Sequence, residues 1–460
     1  MRSPLGALVA RPWFDRVALR FIARRFLPLS RAWAAATIAE GSVERFLAEV
    51  PLADPGPRLH RRLAPVLDRV ARLKSAAQAA EARWGDAAFG PGAADGERLD
   101  AVAADRLAAT HALMATRAHF AFLLRRYAVP PVRYAIIAPD AVEARYADIL
   151  AAPERAYAMP SPLPEVVESG RITGADATRY WLRFPSPSET MADTVHARVF
   201  EPVGVADPPT LIFGHGLFME AEQWRGMPDA ARPLCRLGVR VVEPESPWHG
   251  RRMLPGRYGG EPFIAAAPTG AFDLFAAQAR ETAALIAWCR RAGSGPVAVG
   301  GLSLGALVGQ VVGVHCRRWP SAMRPDALLL VTACDRIDEL ALRGVLGRAL
   351  GLDRALRAHG WSAEALARLR PLTDPLGAPA VAPEDVVVVL GSHDDVTPFA
   401  LGRALFERWG VPRENLFVRR QGHFSAALGL LRDTAHLVRL CDVLARREGS
   451  GGALGRRVNR

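Results

Sequence analysis

Lysine is almost absent from this chain of 460 residues, in which Lys74 is the single lysine among 59 basic residues. The formal net charge of +12 therefore comes from arginine that is scattered through an alanine-rich sequence. The arginines do not gather into a patch with interleaved aromatic residues, which is the pattern that nucleic-acid binding requires. We therefore expect no nucleic-acid partner.

Long apolar runs are also missing. No run approaches the ~20 residues that a helix needs to cross a bilayer. The first residues combine one arginine with a short apolar patch, which Arg11 and Pro12 interrupt too early for a secretory signal. These features predict a cytoplasmic location.

Cysteine and clustered histidine are scarce. The five cysteines are odd in number, widely spaced and without a Cys-x-x-Cys pair, which argues for reduced, mostly buried thiols. The eleven histidines do not fall at ligand spacings such as His-x-x-x-His. The sequence therefore predicts neither a metal site nor a cofactor.

The most informative feature present is the segment Gly301-Leu302-Ser303-Leu304-Gly305. It follows the apolar run 296–300 and precedes a stretch rich in small residues, so it is flanked by a predicted strand and a predicted helix. A serine on such a strand–turn–helix junction presents its hydroxyl above a sheet, and the glycines avoid collisions with the neighbouring backbone. Ser303 is therefore the candidate nucleophile.

Two further side chains follow Ser303 in the order that this kind of site requires. The apolar run 386–390 leads into Asp394, a candidate triad acid, and the predicted strand 415–418 leads into His423, a candidate general base. Ser…Asp…His is the chain order of one fold of serine hydrolases and differs from the orders used elsewhere. Asp395 and Asp335 remain alternatives for the acid.

A fourth element lies upstream, where the predicted strand 209–213 runs into Gly214-His215-Gly216-Leu217-Phe218. Acyl transfer needs hydrogen-bond donors aimed at the oxygen that becomes negative. One is expected to be the N–H of Leu304, which follows the nucleophile, and the other the N–H of Leu217. His215 and His249 are expected to shape these turns without transferring protons.

These motifs make residues 178–446 resemble the α/β-hydrolase superfamily, and the segment Val241–Arg251 is similar to its fourth strand and following His-Gly turn. The resemblance implies an α/β-hydrolase fold, with a mostly parallel eight-stranded sheet and helices on both faces. It also implies ester or amide chemistry.

We predict four regions. These are a helical N-terminal domain at 1–175, an α/β-hydrolase core at 176–446, a helical cap insertion within it at 335–385, and a disordered tail at 447–460. Helical spacing in the N-terminal region predicts helices over 58–83 and 96–127, separated by a loop at 85–92. The plan of a helical domain ahead of the core is similar to esterases of the fermentation–respiration-switch type and to carbon–carbon bond hydrolases of pyridine-alkaloid breakdown.

The function implied is a serine hydrolase that cleaves a carboxylic ester, of small-molecule or lipid-like character, through an acyl-enzyme. Carbon–carbon bond hydrolysis and acyl transfer on the same triad are the alternatives, followed by a non-enzymatic ligand-binding role. Phe218, Trp224 and Trp248 are candidates for substrate binding, with core packing as the other interpretation for the tryptophans. Glu222 is expected on a solvated loop face, with contact to a polar substrate as the other interpretation.

Two helical segments leave two interpretations open. Leucines in the insertion form a stripe that fits either an apolar pocket or packing onto the body: Leu340, Leu342, Leu346 and Leu350.

Residues 13–27 form a basic amphipathic helix, and residues 1–32 hold seven arginines against one carboxylate, Asp15. Its apolar face suits packing on the helical domain or peripheral contact with an anionic membrane. The oligomeric state is not indicated.

Overall fold

The structure, a computed structural model, describes residues 11–219, 222, 231–430 and 432–447. Of the tail predicted from residue 447 onward, only Arg447 is described, and it is the last described residue of a helix. Among the described residues, no helix is both long enough and apolar enough to cross a membrane.

The N-terminal region is helical, as predicted. Its α-helices are α1 (Pro12–Phe21), α2 (Leu27–Ala39), α3 (Val43–Glu49), α4 (Pro57–Phe89), α5 (Gly96–Ala115), α6 (Pro139–Arg145) and α7 (Ala147–Ala151). A π-helical turn, Ile22–Phe26, joins α1 to α2, and 3₁₀-helices cover Thr116–Arg125 and Pro153–Arg155. The division into a separate N-terminal domain remains a prediction.

The loop predicted at 85–92 is wrong in its first half, because α4 continues through Gly85 to Phe89. Trp84 and Ala88 are buried one turn apart, and the Trp84 ring packs edge-on against Trp181 of the sheet at 5.4 Å between centroids. This tertiary contact outweighs the low helix propensity of one glycine.

In the described part of the chain, the sheet has ten strands: β1 (Val167–Glu168), β2 (Ile172–Thr173), β3 (Ala177–Pro185), β4 (Thr194–Pro202), β5 (Thr210–Gly214), β6 (Arg240–Pro244), β7 (Val297–Leu302), β8 (Ala327–Val331), β9 (Val386–Gly391) and β10 (Leu416–Arg419). Its order is β1-β3-β4-β6-β5-β7-β8-β9-β10, with β2 also paired to β3. Strands β5 to β10 pair in parallel, whereas β4 joins them antiparallel.

Strands β3 to β10 reproduce the strand order of the α/β-hydrolase fold, which confirms the predicted fold class. The two additional strands are two residues long and pair only with the edge strand β3. They extend the predicted eight-stranded sheet because the chain entering the core from the helical region runs back along that edge.

Helices cover both faces of the sheet. Between the strands lie α8 (Ala231–Arg236), α9 (Glu261–Ala265), α10 (Thr269–Ala292), α11 (Leu304–His315), α12 (Ile337–Arg343), α13 (Val345–Leu350), α14 (Leu352–Ala358), α15 (Ala363–Ala367), α16 (Arg370–Thr373) and α17 (Phe399–Arg408), followed by α18 (His423–Gly429) and α19 (Ala435–Arg447). Short 3₁₀-helices are Gly250–Arg252, Cys316–Arg318, Ser321–Met323, Pro383–Asp385 and Arg413–Asn415. Helices α12 to α16 form the predicted insertion between β8 and β9.

The period of two along β9 shows how the sheet divides the core. Val386, Val388 and Leu390 pack toward α10, α11 and the N-terminal helices, whereas Val387 and Val389 pack toward α8 and α19. Alternate side chains of a strand point to opposite faces, so a run of apolar residues buries both. The carboxyl ends of β5, β7, β9 and β10 meet at the same edge, where the candidate site lies.

Candidate active site

Ser303 lies on a strained turn between β7 and α11. Its φ of 53° and ψ of −111° are unusual for a residue with a side chain. The Ser303 N–H donates to the Val331 carbonyl at 2.9 Å, and the Gly305 N–H donates to the His215 carbonyl at 3.0 Å. A Cβ on Gly301 or Gly305 would lie 2.5 or 2.2 Å from the Gly214 carbonyl oxygen, so only glycine fits at these two positions.

The structure brings together the three side chains that the sequence singled out. The distance from Ser303 Oγ to His423 Nε2 is 2.9 Å, and that from His423 Nδ1 to Asp394 Oδ2 is 2.8 Å. Asp394 and His423 are buried, and the three residues are separated by 29 and 120 positions along the chain. The arrangement allows a proton to pass from the hydroxyl to an imidazole that a carboxylate holds in place.

The alternative acids lie elsewhere. Asp335 Oδ2 accepts from Arg408 Nη2 at 2.7 Å, so its carboxylate is engaged in an ion pair. Asp395 is exposed to solvent. Of the three candidates, the structure therefore brings only Asp394 to the imidazole of His423.

Asp394 is itself held by four donors, one of which is His423. Its Oδ1 accepts from the backbone N–H groups of Val396 and Thr397, each at 2.9 Å. The hydroxyl of Thr397 lies 2.9 Å from Oδ2 and 3.2 Å from His423 Nδ1. Sequence reasoning missed Thr397, although an Asp followed by a hydroxyl residue three positions later is a familiar turn pattern.

His215 and His249 lie beneath the loop after β5, stacked edge-on with ring centroids 4.8 Å apart. In each ring Nδ1–H donates to a backbone carbonyl and Nε2 accepts a backbone N–H, from Ser246 for His215 and from Phe218 for His249. Burial lowers the pKa of both rings, that of His249 well below 6.5. Both rings are therefore neutral and hold the turns in place without transferring protons, as the sequence suggested.

Three amides next to the predicted oxyanion donors have other acceptors. Ser303 and Gly305, on either side of Leu304, donate as described above, and Phe218, next to Leu217, donates to His249 Nε2 at 3.3 Å. The oxyanion role of the Leu304 and Leu217 amides remains a proposal.

A cavity of about 490 Å³ opens onto Ser303 and His423. Its walls are almost entirely apolar and include the N-terminal helix, the β5 loop, α9–α10, the start of α11, the insertion and α18. The volume falls within the range of about 300–1,000 Å³ that is typical of small-molecule sites. Of the four leucines in the insertion, Leu340 and Leu346 line the cavity, as a pocket would require. Leu342 and Leu350 are instead buried in the core and pack onto the body.

The three predicted substrate-binding residues have different outcomes. Phe218 lines the cavity and is almost fully buried. Trp248 does not line it, because its side chain packs against the hydrophobic core while the backbone turns at φ 64°. Trp224 lies outside the described residues.

The side chain of Glu222 is only 8% exposed, so the expectation of a solvated position was wrong. Its carboxylate accepts from Arg106 of α5 at 2.5 Å and from Arg251 at 2.9 Å. Burial alone would raise the pKa of Glu222, but Arg106, Arg251 and the nearby Arg198 lower it below its ordinary value. An ion cluster thus joins the helical region to the chain that follows the β5 loop.

Helix α1 lies over the cavity. Phe14, Val17, Ala18 and Phe21 line it, as do Ile22 and Phe26 of the π-helical turn. No residue of α1 is fully buried, and Val17 and Phe21 are 53% and 58% exposed. The apolar face therefore forms part of the cavity wall.

No family model matches the chain, and no curated protein matches it. Solved structures that resemble it include acetyl xylan esterase 1 from Thermoanaerobacterium (17% identity, 65% of this chain and 96% of that one, TM-score 0.42) and an S-formylglutathione hydrolase from Agrobacterium tumefaciens (16%, 60% and 98%, 0.39). Carboxyl esterase 2 from Tuber melanosporum is similar at 17% identity, 65% and 98% coverage, with a TM-score of 0.38. These values are too low to indicate a reaction or a substrate.

Proposed function

We propose that this protein is a serine hydrolase that cleaves a carboxylic ester with an apolar acyl group. The observation that carries the proposal is the continuous chain of contacts from Ser303 through His423 to Asp394, at 2.9 and 2.8 Å, at the base of an apolar cavity. Backbone strain at the serine and burial of the acid and the base both cost folding free energy. Such features are concentrated at active sites, which supports a catalytic role.

The reaction begins when Ser303 Oγ attacks the ester carbonyl and His423 Nε2 takes its proton. Asp394 holds Nδ1–H and stabilises the imidazolium that forms. The N–H groups of Leu304 and Leu217 donate to the oxyanion, and each such donor lowers the barrier by about 3 kcal/mol. His423 then protonates the leaving alcohol, and a water molecule that it activates releases the acid from Ser303.

The cavity supports the choice of an apolar acyl group. Almost all of its lining side chains are aliphatic or aromatic, and the polar exceptions include Ser303, His423 and Thr397 of the reacting centre. Burying an acyl methylene in such a wall contributes about 0.8 kcal/mol. We therefore expect kcat/KM to rise with acyl length until the cavity is full.

Peripheral membrane contact through residues 13–27 remains a proposal. The face of α1 away from the body carries exposed Trp13 together with Arg16 and Arg20, which suits an anionic interface. Sedimentation with vesicles of anionic lipid tests it, with neutral vesicles as the control. Retention on neither kind of vesicle would remove this partner.

Labelling with a fluorophosphonate probe tests the proposed function. Wild type should gain one label on the peptide that contains Ser303, and Ser303→Ala should gain none. A set of p-nitrophenyl esters of increasing acyl length then measures the chain-length preference. Labelling that survives Ser303→Ala would refute the nucleophile assignment, and a labelled protein that hydrolyses no ester would favour carbon–carbon cleavage or acyl transfer instead.

A further inference from the structure

Asp15 is the one carboxylate among the seven arginines of residues 1–32, and the triad does not include it. It lies on the first turn of α1, yet its side chain contacts the segment that carries the general base. Asp15 Oδ1 accepts from the Phe424 N–H at 2.6 Å and from the Ser425 N–H at 3.2 Å, and Oδ2 accepts from the Ser425 hydroxyl at 2.5 Å. The contacts join positions more than 400 residues apart.

The same carboxylate fills the space beside Gly422. A Cβ built on Gly422 would lie 2.4 Å from Asp15 Cγ and 2.7 Å from each of its oxygens, and no other atom comes as close. The Gly422 N–H donates to Ser425 Oγ at 2.8 Å. The turn Gly422–Ser425, which contains His423, is thus closed by Ser425 from within and by Asp15 from outside.

Two carboxylates therefore fix the general base in different ways. Asp394 holds the His423 ring at Nδ1, whereas Asp15 holds the backbone immediately after it. Charge-assisted hydrogen bonds are roughly twice as strong as neutral ones, and Asp15 accepts three of them. Without α1, all three donors would lose this acceptor.

We propose that Asp15 is a positioning residue, which holds His423 at hydrogen-bond distance from Ser303 and makes α1 a working part of the active site. The inference rests on the proposed function. Misplacement of a reacting group by about 1 Å costs on the order of 10²-fold in rate, so loss of this support should appear in kcat. Binding of the acyl group, which uses the apolar face of α1, should change little.

The test compares Asp15→Ala and Asp15→Asn with Arg20→Ala, an exposed control on the same helix. The readouts are KM and kcat for p-nitrophenyl butyrate. The kcat is expressed per fluorophosphonate-reactive site, so that unfolded protein is not counted. We expect kcat to fall about ten- to hundredfold in Asp15→Ala. The loss should be smaller in Asp15→Asn, which keeps one acceptor oxygen, and KM should stay within about twofold. Arg20→Ala should match wild type.

A second measurement keeps the proposal testable if Asp15→Ala is unstable. Gly422→Ala should lower kcat in wild type, because the new methyl displaces the carboxylate. In an Asp15→Gly background the clash is gone, so Gly422→Ala should then cost little more. Such non-additivity is the mark of residues that act through one contact.

Several results would overturn the proposal. These are an unchanged kcat per reactive site in Asp15→Ala, a change confined to KM, or additive effects of the Asp15 and Gly422 substitutions. The proposed function fails separately, because its failure would appear as a wild-type protein that neither labels at Ser303 nor turns over ester.

Discussion

Asp394→Asn is the substitution whose effect follows most directly from the geometry. The N–H groups of Val396 and Thr397 both point at Oδ1, each at 2.9 Å. In the variant, those two donors keep the amide oxygen in that place and reject the NH₂ group. The NH₂ therefore takes the position of Oδ2, 2.8 Å from His423 Nδ1.

This placement forces the wrong tautomer. An NH₂ group facing Nδ1 makes that nitrogen an acceptor, so the ring proton moves to Nε2 and points at Ser303 Oγ. The base can then no longer take the hydroxyl proton. In the Ser-His-Asp template the corresponding change lowers kcat by about 10⁴-fold, equivalent to about 5.5 kcal/mol of barrier, and we expect a loss of that order.

The assay is steady-state hydrolysis of a p-nitrophenyl ester, with Asp395→Asn and Asp335→Asn as matched controls. Both controls remove a carboxylate from the same edge of the sheet without touching His423, so we expect kcat within about threefold of wild type. An Asp394→Asn enzyme that keeps more than about a tenth of wild-type kcat would refute the reasoning. So would a loss of the expected size in Asp335→Asn.

Three further predictions concern packing, pH and substrate length. Gly305→Ala should cost at least about 3 kcal/mol of unfolding free energy by urea denaturation, since its methyl meets backbone at 2.2 Å, whereas Gly313→Ala, which meets the Leu328 side chain, should cost less than half as much. Equal losses would contradict this. Burial lowers the pKa of His215 and His249, so below about pH 6.5 the unfolded state binds more protons than the folded state. As the pH decreases from 6.5, the unfolding free energy should therefore fall by up to about 1.4 kcal/mol per pH unit for each ring. An unfolding free energy that does not change between pH 6.5 and 5 would contradict the neutral state of these two rings. Ala341→Phe, in the cavity wall, should lower kcat/KM for long acyl esters by at least about tenfold relative to butyrate, and an unchanged ratio would place the acyl chain elsewhere.

Most strands of the sheet could be predicted because each one is recognisable from its own residues. The runs that end at Gly214, Val331 and Gly391 are apolar on both faces and bounded by glycine, proline or charge, so their positions need no knowledge of the rest of the fold. The order of Ser303, Asp394 and His423 likewise reads directly along the chain.

The features that the sequence did not predict depend on distant partners. Glu222 lies between Arg106 and Arg251, and the end of α4 packs against Trp181. Neither arrangement is apparent from the sequence around Glu222 or around Trp84. Asp15 carried only one signal, its isolation among arginines, which does not indicate a bond to Ser425. Contacts across hundreds of residues leave no periodicity for sequence reasoning to use.

The most direct test of the central claim is the mass of the protein quenched during turnover of a p-nitrophenyl ester. A covalent acyl-enzyme predicts an increase equal to the acyl group, located on the peptide that carries Ser303 and absent from Ser303→Ala. Rapid hydrolysis by Ser303→Ala, or an acyl group found on another side chain, would contradict it.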